Sequence, residues 1–396
     1  MSVLILNVDE LWLKGKNQPY YRTCFRQHLE LLLGTFAPAG QLRTKKLNHN
    51  FVVETEEPFP EGLLPALLRL PGLASMYPAE RVPLELEVLA ERVVTGLAGK
   101  TRPGLTFAVT TRRANKRFPL NSMQLSAEIG GRILMAYPEL RVDLGAPELR
   151  ISLRVLEDGI YVHTSQFEGI GGLPAGTSGH VVVLLSGGFD SPVAAYLMAK
   201  RGCSLSFVFF HAYPYVGDEV KAKVRELVEV LCTYQQRCSL YIVNYGRIQQ
   251  AIAEACDPTY RTVLFRWYML RAAELLANKL QAEGLVTGDV LGQVSSQTLS
   301  NLALLDRATL LPVLRPLLGH NKREIIDLAR RIGTHDISVR PHDDACALFA
   351  VKHPILRPSQ AYLDRILSEL DPRIELAACV EQAEVIECRP WRPCTI

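Results

Sequence analysis

Val181-Val182-Val183-Leu184-Leu185-Ser186-Gly187-Gly188-Phe189-Asp190-Ser191-Pro192 is the stretch that decides how the chain is read. Five apolar residues, mostly β-branched, predict a buried parallel strand. Ser186, Gly187 and Gly188 follow at once, and a helical pattern begins with Pro192 in its first turn. Strand, glycine turn and helix start together aim backbone N–H groups at a phosphate. A side chain at either glycine would block the close approach this needs. The string lacks the Gly-Lys-Ser/Thr ending of a Walker loop, so it holds no lysine for the terminal phosphates.

Working outward from that loop, strand and helix patterns alternate. Strands are expected at Leu205 to Phe210, Leu240 to Val243, Leu285 to Thr287 and Leu310 to Val313. Val220, Val224, Leu227, Val228 and Leu231 mark one amphipathic helix, and Arg261 to Ala282 a longer one. Asn321 caps a further helix that Gly333 ends. This is a doubly wound α/β pattern, whose ligands bind beyond the carboxyl ends of the strands. The loop at Ser186 to Ser191 stands at such an end.

Before the loop, Phe167 to Gly179 is rich in glycine and reads as a linker, placed at 167–180. Residues 1–58 read as a small α+β unit, with strands at Val3 to Val8 and Phe51 to Glu54 around a helix from Tyr21 to Phe36. Lys14 and Lys16 flank Gly15 ahead of that helix, as a phosphate contact or as a solvated turn. Residues 59–166 read as a second α+β unit, with a helix at Leu84 to Leu97 and strands at Thr106 to Thr110, Leu149 to Leu156 and Ile160 to Thr164. Asn121 or Ser122 caps a helix carrying Leu125, Ile129 and Ile133 on one face. Arg112, Arg113, Lys116 and Arg117 form the densest basic patch of the chain, closed by Phe118. Charge alone leaves two readings, an RNA backbone contact or a solvated loop, with Phe118 as a base stack or an anchor.

The 396 residues suffice for two or three domains, and 48% hydrophobic against 21% charged content is that of an ordinary globular protein. No apolar run is long enough to span a membrane and no signal-peptide pattern opens the chain, so the expected location is cytoplasmic. A net charge of +3 confines any nucleic-acid surface to local patches. Nine cysteines without a Cys-x-x-Cys pair argue against a disulfide framework and a zinc ribbon, and no resident metal site is expected.

Several strings together resemble one family, the tRNA 4-thiouridine synthetases or tRNA sulfurtransferases. They are Leu13-Lys14-Gly15-Lys16-Asn17, the Arg112 to Phe118 region, Gly171-Gly172-Leu173-Pro174, Gly176-Thr177-Ser178-Gly179, Ser186 to Ser191, and Gly292-Gln293-Val294-Ser295-Ser296-Gln297-Thr298. The resemblance implies an N-terminal ferredoxin-like unit, a THUMP RNA-binding domain over 59–166, and a PP-loop ATP-pyrophosphatase domain over 181–396. It implies that ATP, with Mg2+, adenylates O4 of the uridine at the eighth nucleotide of tRNA. A persulfide sulfur, supplied by a cysteine desulfurase, then displaces AMP. A homodimer is in keeping with the family.

By the same resemblance Leu184, Leu185, Ser186, Gly187, Gly188, Phe189, Ser191, Phe209, Phe210, Arg266, Gly288 and Gln297 hold the nucleotide, and Lys14, Lys16, Arg112, Arg113, Lys116 and Arg117 the RNA. Asp190 is expected to hold Mg2+ or orient the phosphates, with a helix cap as its plainer role. Lys322, in Gly319-His320-Asn321-Lys322, matches a lysine the family needs; at a helix start a cation is locally unfavourable, so an anionic partner would explain it. Cys346 is the expected sulfur carrier, although Ala345 replaces the first cysteine of the family's Asp-Cys-Cys string. The chain ends at Ile396, too soon for the rhodanese domain of many members. The alternatives are a loop-sharing ligase or amidotransferase on another substrate, and a non-catalytic tRNA-binding protein.

Overall fold

The computed structural model describes residues 2–47, 50–341 and 353–389. Packing divides the chain into two units. Met1–Glu10, Leu29–Leu68 and Leu73–Gly171 form the first; Leu11–His28, Arg69–Gly72 and Gly172–Ile396 form the second.

The first unit is built on a nine-stranded sheet. Its strands are β1 (Ser2–Val8), β2 (Arg43–Leu47), β3 (Asn50–Thr55), β4 (Leu73–Val82), β5 (Thr106–Arg113), β6 (Arg141–Val142), β7 (Leu149–Leu156), β8 (Gly159–His163) and β9 (Phe167–Glu168). They lie in the order β2-β3-β1-β4-β8-β7-β5-β6, with β9 beside β4. The helices of this part of the chain are α1 (Gln18–Phe36), α2 (Leu63–Leu68), α3 (Leu86–Gly96) and α4 (Ser122–Ala136). Alternation along β5 and β7 turns Phe107, Val109, Ile151, Leu153 and Val155 to one face, where Leu89 and Val93 of α3 and Leu125, Ile129 and Ile133 of α4 cover them. Asn121 starts α4 with a capping box closed by Gln124. Phe118 is only 6% exposed within this core, so it anchors the basic loop and does not offer its ring to a base.

Strand β4 is the element the sequence hides. Pro78 lies within it, opposite Leu4 of β1, and a proline normally argues against an inner strand. Yet β4 pairs with β1 on one side and with β8 and β9 on the other. Strands from residues 1–58 and 59–166 therefore share one sheet.

The second unit carries a six-stranded sheet. Its strands are β10 (His180–Leu184), β11 (Ser204–His211), β12 (Cys238–Asn244), β13 (Gly284–Val286), β14 (Val313–Leu314) and β15 (Glu384–Cys388), in the order β14-β13-β10-β11-β12-β15. All are parallel except β15, which adds an antiparallel edge to β12. Helices α5 (Asp190–Lys200), α6 (Glu219–Cys232), α7 (Gly246–Ala255), α8 (Arg261–Lys279), α9 (Leu299–Leu305), α10 (Lys322–Ile332), α11 (His335–Val339), α12 (Gln360–Leu370) and α13 (Leu376–Glu381) flank it. The strand expected at Leu310 begins only at Val313: Leu310 is wholly exposed, and Pro312 has no N–H to give a ladder. Chain order runs outward from β10 in both directions, which makes its carboxyl end a topological switch point. Among the described residues no helix is long and apolar enough to cross a membrane.

Candidate functional site

The loop after β10 is held by its own hydroxyls. The Ser186 amide donates to Ser191 Oγ at 2.8 Å, the two serine oxygens lie 3.0 Å apart, and the Gly188 amide reaches Ser186 Oγ at 3.4 Å. These contacts bend the chain directly into α5, whose first residue is Asp190. Gly288, just past β13, closes the other side. A Cβ there would lie 2.6 Å from the Ser191 amide nitrogen and 2.8 Å from the Asp190 carbonyl carbon. Both neighbours are backbone, so only glycine permits this approach.

Asp190 collects two partners from distant parts of the chain. Lys322 Nζ donates to its Oδ1 at 2.7 Å and Gln293 Nε2 to its Oδ2 at 2.9 Å. The lysine is the first residue of α10, which Asn321 caps with a capping box. Its charge stands at the positive end of a helix, and the Asp190 carboxylate supplies the expected anion. Lys322 Nζ also lies 5.4 Å from the centroid of the Phe189 ring, and that ring is 5.6 Å from His335. Ser338 Oγ donates to the Gly188 carbonyl at 3.1 Å. The end of α11 is fastened in turn by buried Lys223, which donates to the carbonyls of Ser338 and Arg340 at 3.0 and 2.6 Å. The loop is thus gripped from α10 and α11 as well as from β13.

Beside it a cavity of about 300 Å³ opens at the carboxyl ends of the parallel strands. Leu184, Leu185, Ser186, Gly187, Asp190 and Ser191 line it from β10 and the loop, Phe209 and Phe210 from β11, and Arg266, Gly288 and Gln297 from the far side. Gly188, Phe189 and Lys322 do not line the cavity; they form the outer wall of the loop.

Sequence reasoning missed the residue that organises the far side. Asp289 is 3% exposed and takes bonds from Arg266, from Thr287 Oγ1 at 2.7 Å, from Arg315 Nε at 3.3 Å and from Gln297 Nε2 at 3.4 Å. Burial alone would raise its pKa, but the Arg266 charge, the Thr287 hydroxyl and Arg315 outweigh it and hold the carboxyl below its ordinary value. Arg266 also donates to the Ser296 carbonyl at 3.0 Å. The other side of the Gln297 amide, Oε1, is buried without a partner. The signal in the sequence was Gly288-Asp289 directly after a strand, an acid where the fold buries side chains. Gln293 was visible only as part of a family string.

The basic residues fall in both units. In the first, Arg112, Lys116 and Arg117 are exposed, whereas Arg113 turns inward and donates to the carbonyls of Phe118 and Leu120 at 2.9 and 3.0 Å. In the second, Lys16 is exposed and Lys14 lies 4.8 Å from the Tyr21 ring centroid. Cys346 and the Cys394 end of the tail lie outside the described residues. Cys388 sits buried in β15 opposite Cys238. Burial pushes the thiols of Cys203, Cys238, Cys256 and Cys379 upward, Cys256 to about 11, and no described cysteine lines the cavity.

Residues 176–371 match the family model described as Thiamine biosynthesis protein (ThiI), and residues 85–164 match the THUMP domain. A protein of Moorella thermoacetica named Probable tRNA sulfurtransferase is 37% identical over 387 residues, 98% of each chain. One of the same name from Halothermothrix orenii is 38% identical over 401 residues, covering 98% of this chain and 99% of the relative. A crystal structure of a 4-thiouridine synthetase–RNA complex with bound ATP matches with a TM-score of 0.89 at 30% identity, covering 98% of this chain and all of that one. PH1313 of Pyrococcus horikoshii shares the fold, with a TM-score of 0.63 at 21% identity.

Proposed function

The chain belongs to the tRNA sulfurtransferase family, and from that premise we propose that it is an ATP-dependent tRNA uracil 4-sulfurtransferase. The observation that carries the reading is the cluster of Asp190, Lys322 and Gln293 at the start of α5, beside a cavity of nucleotide-binding type. ATP lies over the loop with adenosine in the cavity, where Phe209 and Phe210 give apolar walls and Arg266 and Gln297 give polar contacts. Lys322 stabilises the charge that develops as pyrophosphate leaves. O4 of the uridine at the eighth nucleotide attacks the α-phosphorus, the bond to pyrophosphate breaks, and the N3 proton is released. The base then carries AMP as its leaving group. The terminal sulfur of a cysteine persulfide attacks C4, AMP departs with the oxygen, and a thiol cleaves the remaining S–S bond to free 4-thiouridine.

Mg2+ would neutralise the triphosphate. Among the described residues no group of three or more His, Cys, Asp or Glu forms a metal cage. The donor set would suit an ion held mainly by phosphate oxygens, with the Asp190 carboxylate beside it. We assign the persulfide to Cys346 and the sulfur supply to a cysteine desulfurase. The raised thiols of the buried cysteines support that choice, since a thiolate is the form that attacks. In this reading residues 1–166 deliver the tRNA, 167–180 link, and 181–396 catalyse. The enzyme works in the cytoplasm as a homodimer.

The test is mass analysis of tRNA nucleosides after incubation with ATP, Mg2+, a cysteine desulfurase and cysteine. 4-Thiouridine that depends on ATP is the expected product. Pyrophosphate release driven by a small molecule in place of tRNA would favour a ligase instead, and tRNA binding without turnover a non-catalytic role.

A further inference from the structure

One short helix touches the nucleotide loop at two points and is itself tied down from behind. His335 and Ser338 of α11 stand three positions apart, on one helical face. The His335 ring lies 5.6 Å from the Phe189 ring, and Ser338 Oγ donates to the Gly188 carbonyl at 3.1 Å. Ser338 is 5% exposed, so water competes little for that bond. The last turn of a helix leaves carbonyls that the helix cannot satisfy. Lys223 of α6 takes those of Ser338 and Arg340, and Arg340 Nη1 reaches both oxygens of Glu226, one turn along α6, at 2.8 and 2.7 Å. Ser338 is therefore held from α6 while it holds the loop.

The bond from Ser338 fixes a peptide plane. The link from Gly188 to Phe189 is trans, so its C=O and N–H point opposite ways. With the carbonyl on α11, the Phe189 N–H is turned to the other side of the loop. Among the described residues that N–H meets no acceptor. Gly188 has no side chain to resist rotation about its own bonds, so the plane depends on what grips the carbonyl. We propose that Ser338 is a positioning residue for the distal phosphates of ATP: it draws the Gly188 carbonyl outward and so aims the Phe189 amide at the β- and γ-phosphoryl oxygens. The distal phosphates are the ones concerned because Gly188 and Phe189 lie outside the cavity that takes adenosine, beside Lys322. A donor oriented in advance need not be ordered when the anion arrives. The proposal rests on the ATP reading above and adds to it a residue that does not touch the nucleotide.

The experiment is calorimetric titration of the full chain with ATP and, separately, with AMP, both with Mg2+, alongside thermal melting of each protein. AMP keeps the adenosine contacts and lacks the two distal phosphates. Ser338→Ala should weaken ATP roughly tenfold and leave AMP within about twofold of the wild type. Ser338→Thr keeps the hydroxyl and should recover most of the lost ATP affinity. A serine that only braced the fold would weaken both nucleotides alike, in step with the melting temperature. That result overturns the proposal, as does an unchanged ATP affinity in Ser338→Ala. Should Ser338→Thr not fold, the split between ATP and AMP in Ser338→Ala decides alone. A wild-type protein that binds no ATP would instead overturn the functional reading and the proposal with it, whereas thiolation by a wild type whose Ser338→Ala variant shows no split removes the positioning role alone.

Discussion

The polar interior of the second unit and the open sheet face of the first handle charge in opposite ways. In and beside the cavity charges meet their opposites: buried Asp289 meets Arg266 and Arg315, and Asp190 meets Lys322. On the sheet face Arg112 and Arg154 are register partners with no acid paired to either among the described residues. The first pattern makes a site whose shape is complete before its ligand enters. The second leaves like charges side by side on a surface. Catalysis needs the former, because groups aimed at a developing charge must not reorganise during the reaction. A surface that grips and releases a long polyanion works through the latter, since its attraction is tuned by salt and lost without the partner.

Removing the buried acid should break this contrast most severely. Asp289→Ala leaves the Arg266 guanidinium without its counter-charge in the interior, while Arg315 keeps Asp306 at 2.6 Å. It should destabilise the second unit by about 3–5 kcal/mol, read by urea unfolding. The pH dependence has a defined sign. The folded carboxyl titrates below its unfolded value, so its contribution is complete above the unfolded pKa of about 3.9 and is lost as pH falls further, through the folded value. Unfolding of the wild type and of Asp289→Asn should therefore converge only in strong acid. Persistence of the full difference there would remove Asp289 as the source.

Asp190→Asn should act on rate and leave stability nearly intact. Its partner Lys322 is 45% exposed, so the ion pair itself adds little to folding. Thiolation should fall by about two to three orders of magnitude, with tRNA affinity retained. Gly288→Ala follows. Its new Cβ meets backbone 2.6 Å away, so the loop or β13 must yield. Overpacking of this kind costs about 1–3 kcal/mol, and it should appear chiefly as weaker ATP binding by calorimetry. Wild-type affinity in this variant would mean that the loop is softer than its close contacts indicate.

How much of this was legible beforehand follows from where each residue draws its partners. The strand, loop and helix start from Val181 to Pro192 are local, and β10, the hydroxyl-pinned turn and α5 appear where the sequence puts them. The caps at Asn121 and Asn321 are local too. Strand β4 was hidden because its place depends on β1 and β8, while Pro78 argued locally against it. The meeting of Asp190 with Lys322 spans 132 positions, so the sequence could ask for an anion near the lysine without naming it. Asp289 was missed for the same reason: its meaning lies in Arg266 and Arg315, brought together only by the sheet. Arg113 shows the limit from the other side. Adjacent to Arg112 and identical in kind, it faces inward, because alternation along β5 sends neighbours to opposite faces.

That last pair gives the finest test of the comparison, within one basic loop. One nitrogen of Arg113, Nη1, donates to two backbone carbonyls, those of Phe118 and Leu120, and so holds the loop closed over buried Phe118. Methionine keeps the apolar stem and removes both donors. Arg113→Met should therefore lower stability by about 1–2 kcal/mol while leaving the salt slope of tRNA binding unchanged. Lys116→Ala, at an exposed position four residues before Leu120, should do the reverse: its slope falls by about one and its melting temperature stays put. One substitution removes a bond the fold has already satisfied, and the other a charge that waits for the partner. Were both to move the same observable, the basic loop would not be divided between anchoring and binding, and the inward fork of Arg113 would have to be counted among the RNA contacts.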